Sequence, residues 1–275
     1  MKTTKLSKKS LITLIVSIAF LCGVITLSLS NVLNEKNTNK ILIYSKADNL
    51  TERKEVDLVL FFSGYTIGSP GLLANFDFGG LGLNPYLGNK YRENLVFVSI
   101  DTDPVANWGS PGSVKGVLKN IKDLLKQYNV SKIYIIGGSM GSSLALNLAS
   151  QADNEIKNKI AEILVYLPIT DYKYTIENCQ NQSIKTDLEK HFGRNEKFIQ
   201  ESSPISYIND LPEKIKITFI AAANDTIVAT QQVYDYYNKA KEIGKNVELI
   251  SVQGDHNTGY IQNALKTAVV GILLK

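Results

Sequence analysis

Short apolar runs that alternate with helical stretches constrain the fold of this chain more than any other feature of its sequence. Strands are predicted at residues 41–44, 56–62, 95–100, 133–136, 163–167, 217–221 and 247–252. Helical periodicity is found over residues 113–128, 140–150, 228–242 and 259–270. Because most of these strands are apolar on both faces, the sheet needs a layer of helices on each side. The sequence therefore predicts an α/β fold with a mostly parallel sheet and helices on both faces.

Composition and charge narrow the class of protein further. The chain has 275 residues, of which 44% are hydrophobic and 20% are charged, as is typical of a globular domain with a sizeable core. Four of its 30 basic residues lie within residues 1–9, so the remainder balances 26 basic against 26 acidic residues. Because the chain after residue 9 has no net charge, its composition gives no support for a basic surface that binds nucleic acid.

Residues 1–30 have the pattern of an export signal. Four lysines precede an apolar run over residues 11–29, as in a secretory signal peptide, and residues 1–30 contain no acidic residue. Ser28 and Ser30 supply small residues for cleavage before Asn31. The run is also close to the ~20 residues that span a bilayer, so an uncleaved N-terminal membrane anchor is the alternative. In both cases residue 31 onward is expected outside the cytoplasm, as a secreted, periplasmic or membrane-anchored protein.

Residues 31–275 are predicted to form one α/β domain that carries an insertion. Residues 171–210 are polar, weakly periodic and outside the alternation of strands and helices, which suggests a lid or cap. Its aromatic residues Tyr172, Tyr174 and Phe192 either contact an apolar substrate or pack the insertion onto the domain. If residues 1–30 are removed, Cys179 is the one cysteine left, so an intrachain disulfide is not expected.

A G-x-S-x-G motif carries the first chemical signal. Gly137-Gly138-Ser139-Met140-Gly141 lies between the predicted strand at 133–136 and the helix at 140–150. A nucleophilic serine on a sharp strand-to-helix turn needs neighbours without side chains, and glycines at 137 and 141 meet that demand. We therefore predict Ser139 as a nucleophile; the alternative is a glycine-rich turn with an incidental serine.

A serine hydroxyl is a weak nucleophile and needs a general base, usually a histidine. The sequence has two histidines. His191 lies in a charged stretch that no predicted strand precedes, whereas His256 follows the strand at 247–252. Loops at the carboxyl ends of parallel strands are where open α/β sheets place their sites. His256 is therefore the predicted base.

Two aspartates are candidates for the acid that orients this histidine. Asp225 follows the strand at 217–221, and Asp171 follows the strand at 163–167. We favour Asp225, because its strand directly precedes the strand that leads to His256 and one crossover separates the two loops. The alternative role for Asp225 is to cap a helix that begins near Ile227. Asp171 opens the insertion, where it is expected to cap or turn the chain.

Cofactor and metal chemistry find little support in the sequence. It has no phosphate-binding G-x-x-x-x-G-K-[ST] motif, and Pro85 occupies the third glycine position of the only approximate dinucleotide fingerprint. Two separated histidines and one cysteine after residue 30 do not make a metal cluster. Asp101 and Asp103, next to Pro104, are interpreted as turn residues. No cofactor and no metal are predicted.

These residues together resemble the α/β-hydrolase family. Ser139, Asp225 and His256 occur in that family's chain order, and the resemblance covers about residues 40–275. It implies an oxyanion hole made by two backbone N–H groups, those of Met140 and Tyr65. Tyr65 follows Ser63-Gly64, where the family commonly has histidine and glycine.

The resemblance implies a serine hydrolase that cleaves carboxylic esters through an acyl-enzyme intermediate, and the pattern of residues 1–30 predicts that it is exported. The expected substrate is a small-molecule or lipid acyl ester, and residues 11–29 provide a possible membrane association. An acyltransferase or a peptidase would use the same Ser-His-Asp triad. A hydrolase-fold binding protein without turnover is the alternative from another class.

The export signal leads to a first prediction. The mass of the intact protein isolated from its native host should correspond to a chain that begins near Asn31, or to a full-length chain in the membrane fraction. A full-length chain in the soluble cytosol would contradict both the signal peptide and the anchor.

Overall fold

The computed structural model describes residues 41–45, 55–64, 94–100 and 108–274, with residues 41–45 described by their backbone alone. The predicted export segment at 1–30 lies outside these residues. The described strands form one seven-stranded sheet in the order β1-β3-β2-β4-β5-β6-β7. They are β1 (Ile41–Ser45), β2 (Val56–Phe62), β3 (Leu95–Ile100), β4 (Val130–Gly138), β5 (Ile160–Tyr166), β6 (Lys216–Ala222) and β7 (Val247–Val252).

The six strands β2 to β7 are parallel to one another, and β1 pairs antiparallel with β3 at one edge. The predicted α/β fold with a mostly parallel sheet is confirmed. Every residue of β2 and β3 is buried, which explains why both strands are almost continuously apolar. All six carboxyl ends of the parallel strands therefore lie along one edge of the sheet, where the candidate site residues follow.

Helices cover both faces, and the alternation of side chains along each strand assigns residues to one face or the other. The main-domain helices are α1 (Pro111–Gln127), α2 (Met140–Gln151), α3 (Asn154–Lys157), α7 (Gln231–Glu242) and α8 (Thr258–Leu273). On one face, Leu58 and Leu60 lie in a buried cluster with residues of α1, α2 and α7. On the other face, Val59 lies in a cluster with Ile261 and Leu265 of α8.

The insertion at 171–210 is helical. It consists of α4 (Tyr172–Asn178), α5 (Gln182–Phe192), α6 (Glu196–Ser202) and a 3₁₀ helix (Pro204–Asp210). Asp171, Asn181 and Asn195 cap the three α-helices, each accepting hydrogen bonds from backbone N–H groups of the first turn. Helices this short are defined more by their caps and packing than by a long apolar stripe, which explains the weak periodicity of the sequence.

Aromatic packing joins the insertion to the rest of the domain. The rings of Tyr172 and Phe192 stack with their centroids 4.7 Å apart, and both side chains are buried. They belong to a cluster that includes Trp108 and Met140, the residue after Ser139. Trp108 also donates its indole N–H to Asp187 of α5 over 2.6 Å. Of the two interpretations of these aromatics, Tyr172 and Phe192 thus fit the packing of the insertion onto the domain.

Across the described parts of the chain, we find no helix with the length and apolar character needed to cross a membrane.

Candidate active site

Ser139 occupies the sharp turn between β4 and α2. Its backbone has φ of +48° and ψ of −118°, in a region that residues with a side chain rarely adopt. Such a conformation costs about 1–3 kcal/mol and persists only where the surroundings hold it in place. The turn lifts Ser139 at the carboxyl end of β4, as a strand–serine–helix motif requires.

Three glycines allow this turn to pack. A Cβ added at Gly137 would lie 2.6 Å from the carbonyl oxygen of Gly141, and one added at Gly141 would lie 2.2 Å from the carbonyl oxygen of Phe62. These are the two glycines that the motif singled out. Gly138 is equally constrained, because a Cβ there would lie 2.2 Å from the ring of Tyr166 on β5. The motif allows any residue at position 138, so the motif alone did not predict this constraint.

Hydrogen bonds from neighbouring elements hold the backbone of Ser139. Its N–H donates to the carbonyl oxygen of Tyr166 over 2.9 Å, and its carbonyl oxygen accepts from the N–H of Ser142 over 3.0 Å. The Ser142 hydroxyl also donates to that carbonyl and accepts from the N–H of Ile169 over 3.0 Å. Ser142 is fully buried and joins the turn that carries Ser139 to the loop after β5. Sequence reasoning did not identify it, because its role depends on a loop 27 residues away.

The structure brings Ser139, His256 and Asp225 into one chain of hydrogen bonds. Ser139 Oγ lies 2.9 Å from His256 Nε2, and His256 Nδ1 lies 2.6 Å from Asp225 Oδ2. Because a carboxylate only accepts, Nδ1 is the donor to Asp225, which leaves Nε2 of a neutral imidazole free to accept the serine proton. The side chains of His256 and Asp225 are 14% and 2% exposed, so little water competes for these bonds.

Asp225 also stabilises the turn that follows it, although it does not cap a helix as its alternative role supposed. Its Oδ1 accepts from the N–H groups of Ile227 and Val228, over 3.0 and 3.1 Å, and its Oδ2 is directed to His256. One carboxylate oxygen thus holds the turn while the other orients the histidine. These two N–H groups lie in a turn ahead of α7, which begins only at Gln231.

The two rejected candidates lie elsewhere. Asp171 caps α4, and its Oδ1 accepts from the N–H of Tyr174 over 3.0 Å. His191 lies on α5 with its ring edge-on to Phe192, and partial burial lowers its pKa. The structure therefore provides His256 with Asp225, and not with Asp171, as its hydrogen-bonded carboxylate.

The first turn of α2 places a backbone N–H group directly after Ser139. Met140 is the first residue of α2, and the first N–H groups of a helix have no carbonyl one turn earlier to bind. Gly64 brings the loop after β2 against Ser139, since a Cβ there would lie 3.3 Å from Ser139 Cβ. Tyr65, the predicted second donor, lies just outside the described residues. Among the described residues, no group of three or more His, Cys, Asp or Glu side chains is placed to hold a metal ion.

Comparison with known proteins agrees with this architecture. Residues 95–258, more than half of the chain, match the sequence model of the alpha/beta hydrolase fold, and the chain belongs to the α/β-hydrolase family. It is also similar to an uncharacterized protein of Acanthamoeba polyphaga mimivirus, with 24% identity over 228 residues, covering 82% of this chain and 70% of the viral protein.

Solved structures share the fold at low sequence identity. An acylaminoacyl peptidase of Pyrococcus horikoshii superposes with a TM-score of 0.61 and 15% identity, and the match covers 86% of this chain but only 39% of the peptidase. A fungal esterase from Rhizomucor miehei has a TM-score of 0.61 and 18% identity, with 86% of this chain and 77% of the esterase covered. The chain thus spans well under half of the peptidase and most of the esterase.

The geometry predicts a clear difference between the two aspartates. Asp225→Asn should lower kcat for ester hydrolysis about 10⁴-fold, because the amide no longer fixes the histidine tautomer or stabilises the imidazolium. The matched variant Asp171→Asn should lose less than about tenfold, because its side chain caps a helix. Steady-state kinetics on both purified variants checks this. Equal losses, or the larger loss in Asp171→Asn, would contradict the assignment of the acid.

Proposed function

We propose that this protein is a serine hydrolase that cleaves carboxylic esters through a Ser139–His256–Asp225 triad. The observation that carries the proposal is the continuous chain of hydrogen bonds from Ser139 Oγ through the imidazole to the Asp225 carboxylate. A serine in a strained strand-to-helix turn, with a histidine and a buried carboxylate behind it, is the arrangement that activates a hydroxyl for acyl transfer.

The geometry supports a two-step reaction. His256 Nε2 accepts the Ser139 proton while Oγ attacks the ester carbonyl carbon, and the protonated imidazole then donates that proton to the departing alcohol. In the second step a water molecule gives a proton to His256 Nε2 while its oxygen attacks the acyl carbon, and the imidazolium then returns the proton to Ser139 Oγ as the acyl–Oγ bond breaks and the carboxylic acid leaves. Asp225 stays ionised and stabilises the imidazolium between these transfers.

The negative charge that develops on the carbonyl oxygen needs its own donors. We assign the N–H groups of Met140 and Tyr65 to this role, the first from the start of α2 and the second from the family resemblance. The partial positive charge at the amino terminus of a helix favours an anion beside Met140. Loss of one oxyanion donor typically costs about 10²–10³ in rate, so these N–H groups contribute substantially beside the triad.

An ester is the first choice of substrate, and a peptide bond is the second. The match with the Rhizomucor miehei esterase extends over most of that protein, whereas more than half of the Pyrococcus horikoshii peptidase has no counterpart in this chain. The peptidase is nevertheless a neighbour in fold, so amide cleavage is tested beside ester cleavage. We place the reaction outside the cytoplasm, on a small-molecule or lipid acyl ester, in line with the lysine-rich apolar leader.

The proposal is tested with nitrophenyl esters of increasing chain length and a peptide nitroanilide. We expect the wild type to hydrolyse the esters faster than the anilide, and Ser139→Ala to lower the ester rate by ~10⁴–10⁶ because the nucleophile is gone.

The matched control is Ser183→Ala, which removes an exposed serine hydroxyl of α5 and should leave the rate unchanged. Residual activity of Ser139→Ala above about a tenth of the wild type, with an unchanged circular dichroism spectrum, would reject Ser139 as the nucleophile. Faster cleavage of the anilide than of every ester would favour the peptidase.

A further inference from the structure

Gln232 carries a buried side-chain amide at the start of α7, with 2% of the residue exposed. Its Oε1 accepts from the N–H groups of Thr170 and Asp171, over 2.6 and 2.8 Å. Its Nε2 donates to the carbonyl oxygens of Val228 and Pro168, over 2.8 and 3.4 Å. The Thr170 hydroxyl also lies 3.0 Å from Oε1, so both N–H donors and the acceptor oxygen of this amide have partners. The side chain thus joins α7 to two loops at once.

One of the two loops carries Asp225. Val228 is bonded at both ends of its backbone, because its carbonyl accepts from Gln232 while its N–H donates to Asp225 Oδ1 over 3.1 Å. A single residue therefore separates the amide of Gln232 from the carboxylate that binds His256. Asp225 Oδ1 accepts from two backbone N–H groups, those of Ile227 and Val228, so a shift of Val228 would remove one of the two bonds that hold the carboxylate.

The other loop, at 167–171, holds the nucleophile turn. Its Ile169 donates to Ser142 Oγ, and Ser142 donates in turn to the carbonyl oxygen of Ser139. The loop also supplies the Thr170 and Asp171 N–H groups that Gln232 binds. Gln232 thus links the turn of the proposed acid to the loop that supports the proposed nucleophile.

We propose that Gln232 is a positioning residue of this site, which sets the Asp225 carboxylate at the correct place relative to Ser139 and His256. The inference rests on the proposed function. Its side chain bonds to backbone groups and to the Thr170 hydroxyl, so it acts through Val228 and the loop at 167–171 and not on the substrate.

A double-mutant cycle tests this role with the rate of covalent labelling by a fluorophosphonate probe. Gln232→Met keeps the length of the side chain and removes all of its hydrogen bonds. We expect it to slow labelling at least tenfold in the wild-type background and less than twofold in an Asp225→Asn background, because the acid it positions is already lost. Equal slowing in both backgrounds would show a purely structural role and overturn the proposal.

Two further variants separate positioning from folding. Val233→Ala, at the neighbouring buried residue of α7, creates a cavity and should lower the melting temperature while labelling stays within twofold of the wild type. Gln232→Glu keeps oxygens for the Thr170 and Asp171 N–H groups but loses the donor to Val228, and it should also slow labelling at least tenfold. If Val233→Ala slows labelling as much as Gln232→Met does, or if neither Gln232 variant unfolds cooperatively, the proposal fails.

A spectroscopic measurement separates this inference from the proposed function. If the probe does not label the wild type, the proposed serine hydrolase activity is contradicted, so the positioning role needs a measurement that does not depend on labelling. The low-field proton resonance of the bond between His256 Nδ1 and Asp225 needs no substrate. We expect this resonance in the wild type and in Val233→Ala, and its loss or broadening in Gln232→Met. An unchanged resonance in Gln232→Met would overturn the positioning role whether or not the wild type is labelled.

Discussion

The strained backbone of Ser139 is the constraint on which the rest of the site depends. A residue with a side chain at φ of +48° needs support from all around it. The support comes from the end of β5, from Ser142 and from glycines that let the strand, turn and helix approach each other closely. The turn itself is unfavourable, so the free energy that holds it comes from the large buried sheet beneath it.

The parallel sheet then determines which residues can meet. The loops after β4, β6 and β7 open at the same edge, so residues more than a hundred positions apart come within hydrogen-bond distance. Asp225 uses one oxygen to fix its own turn and the other to hold His256. Buried hydrogen bonds, among them those of Gln232, join these loops to each other.

The sequence was informative where local pattern determines structure. Apolar runs such as residues 56–62 predicted the strands and the parallel sheet, and Gly137 and Gly141 predicted the turn around Ser139. It was uninformative for bonds between distant loops: Gln232 lies 62 residues from Thr170, and Trp108 lies 79 from Asp187. No periodicity encodes such pairs, because they depend on how two loops meet after the sheet has formed. The helices of the insertion were missed since they are short and begin at Asx caps.

In the proposed reaction, Ser139 becomes covalently acylated during turnover. The most direct test of this step is mass spectrometry of the enzyme, quenched with acid within the first turnovers of a nitrophenyl ester. We expect a mass gain equal to one acyl group on the peptide that contains Ser139, formed before steady state and absent when His256 is replaced by alanine. Turnover of the ester without acylation of Ser139, or with the acyl group on another residue, would contradict it.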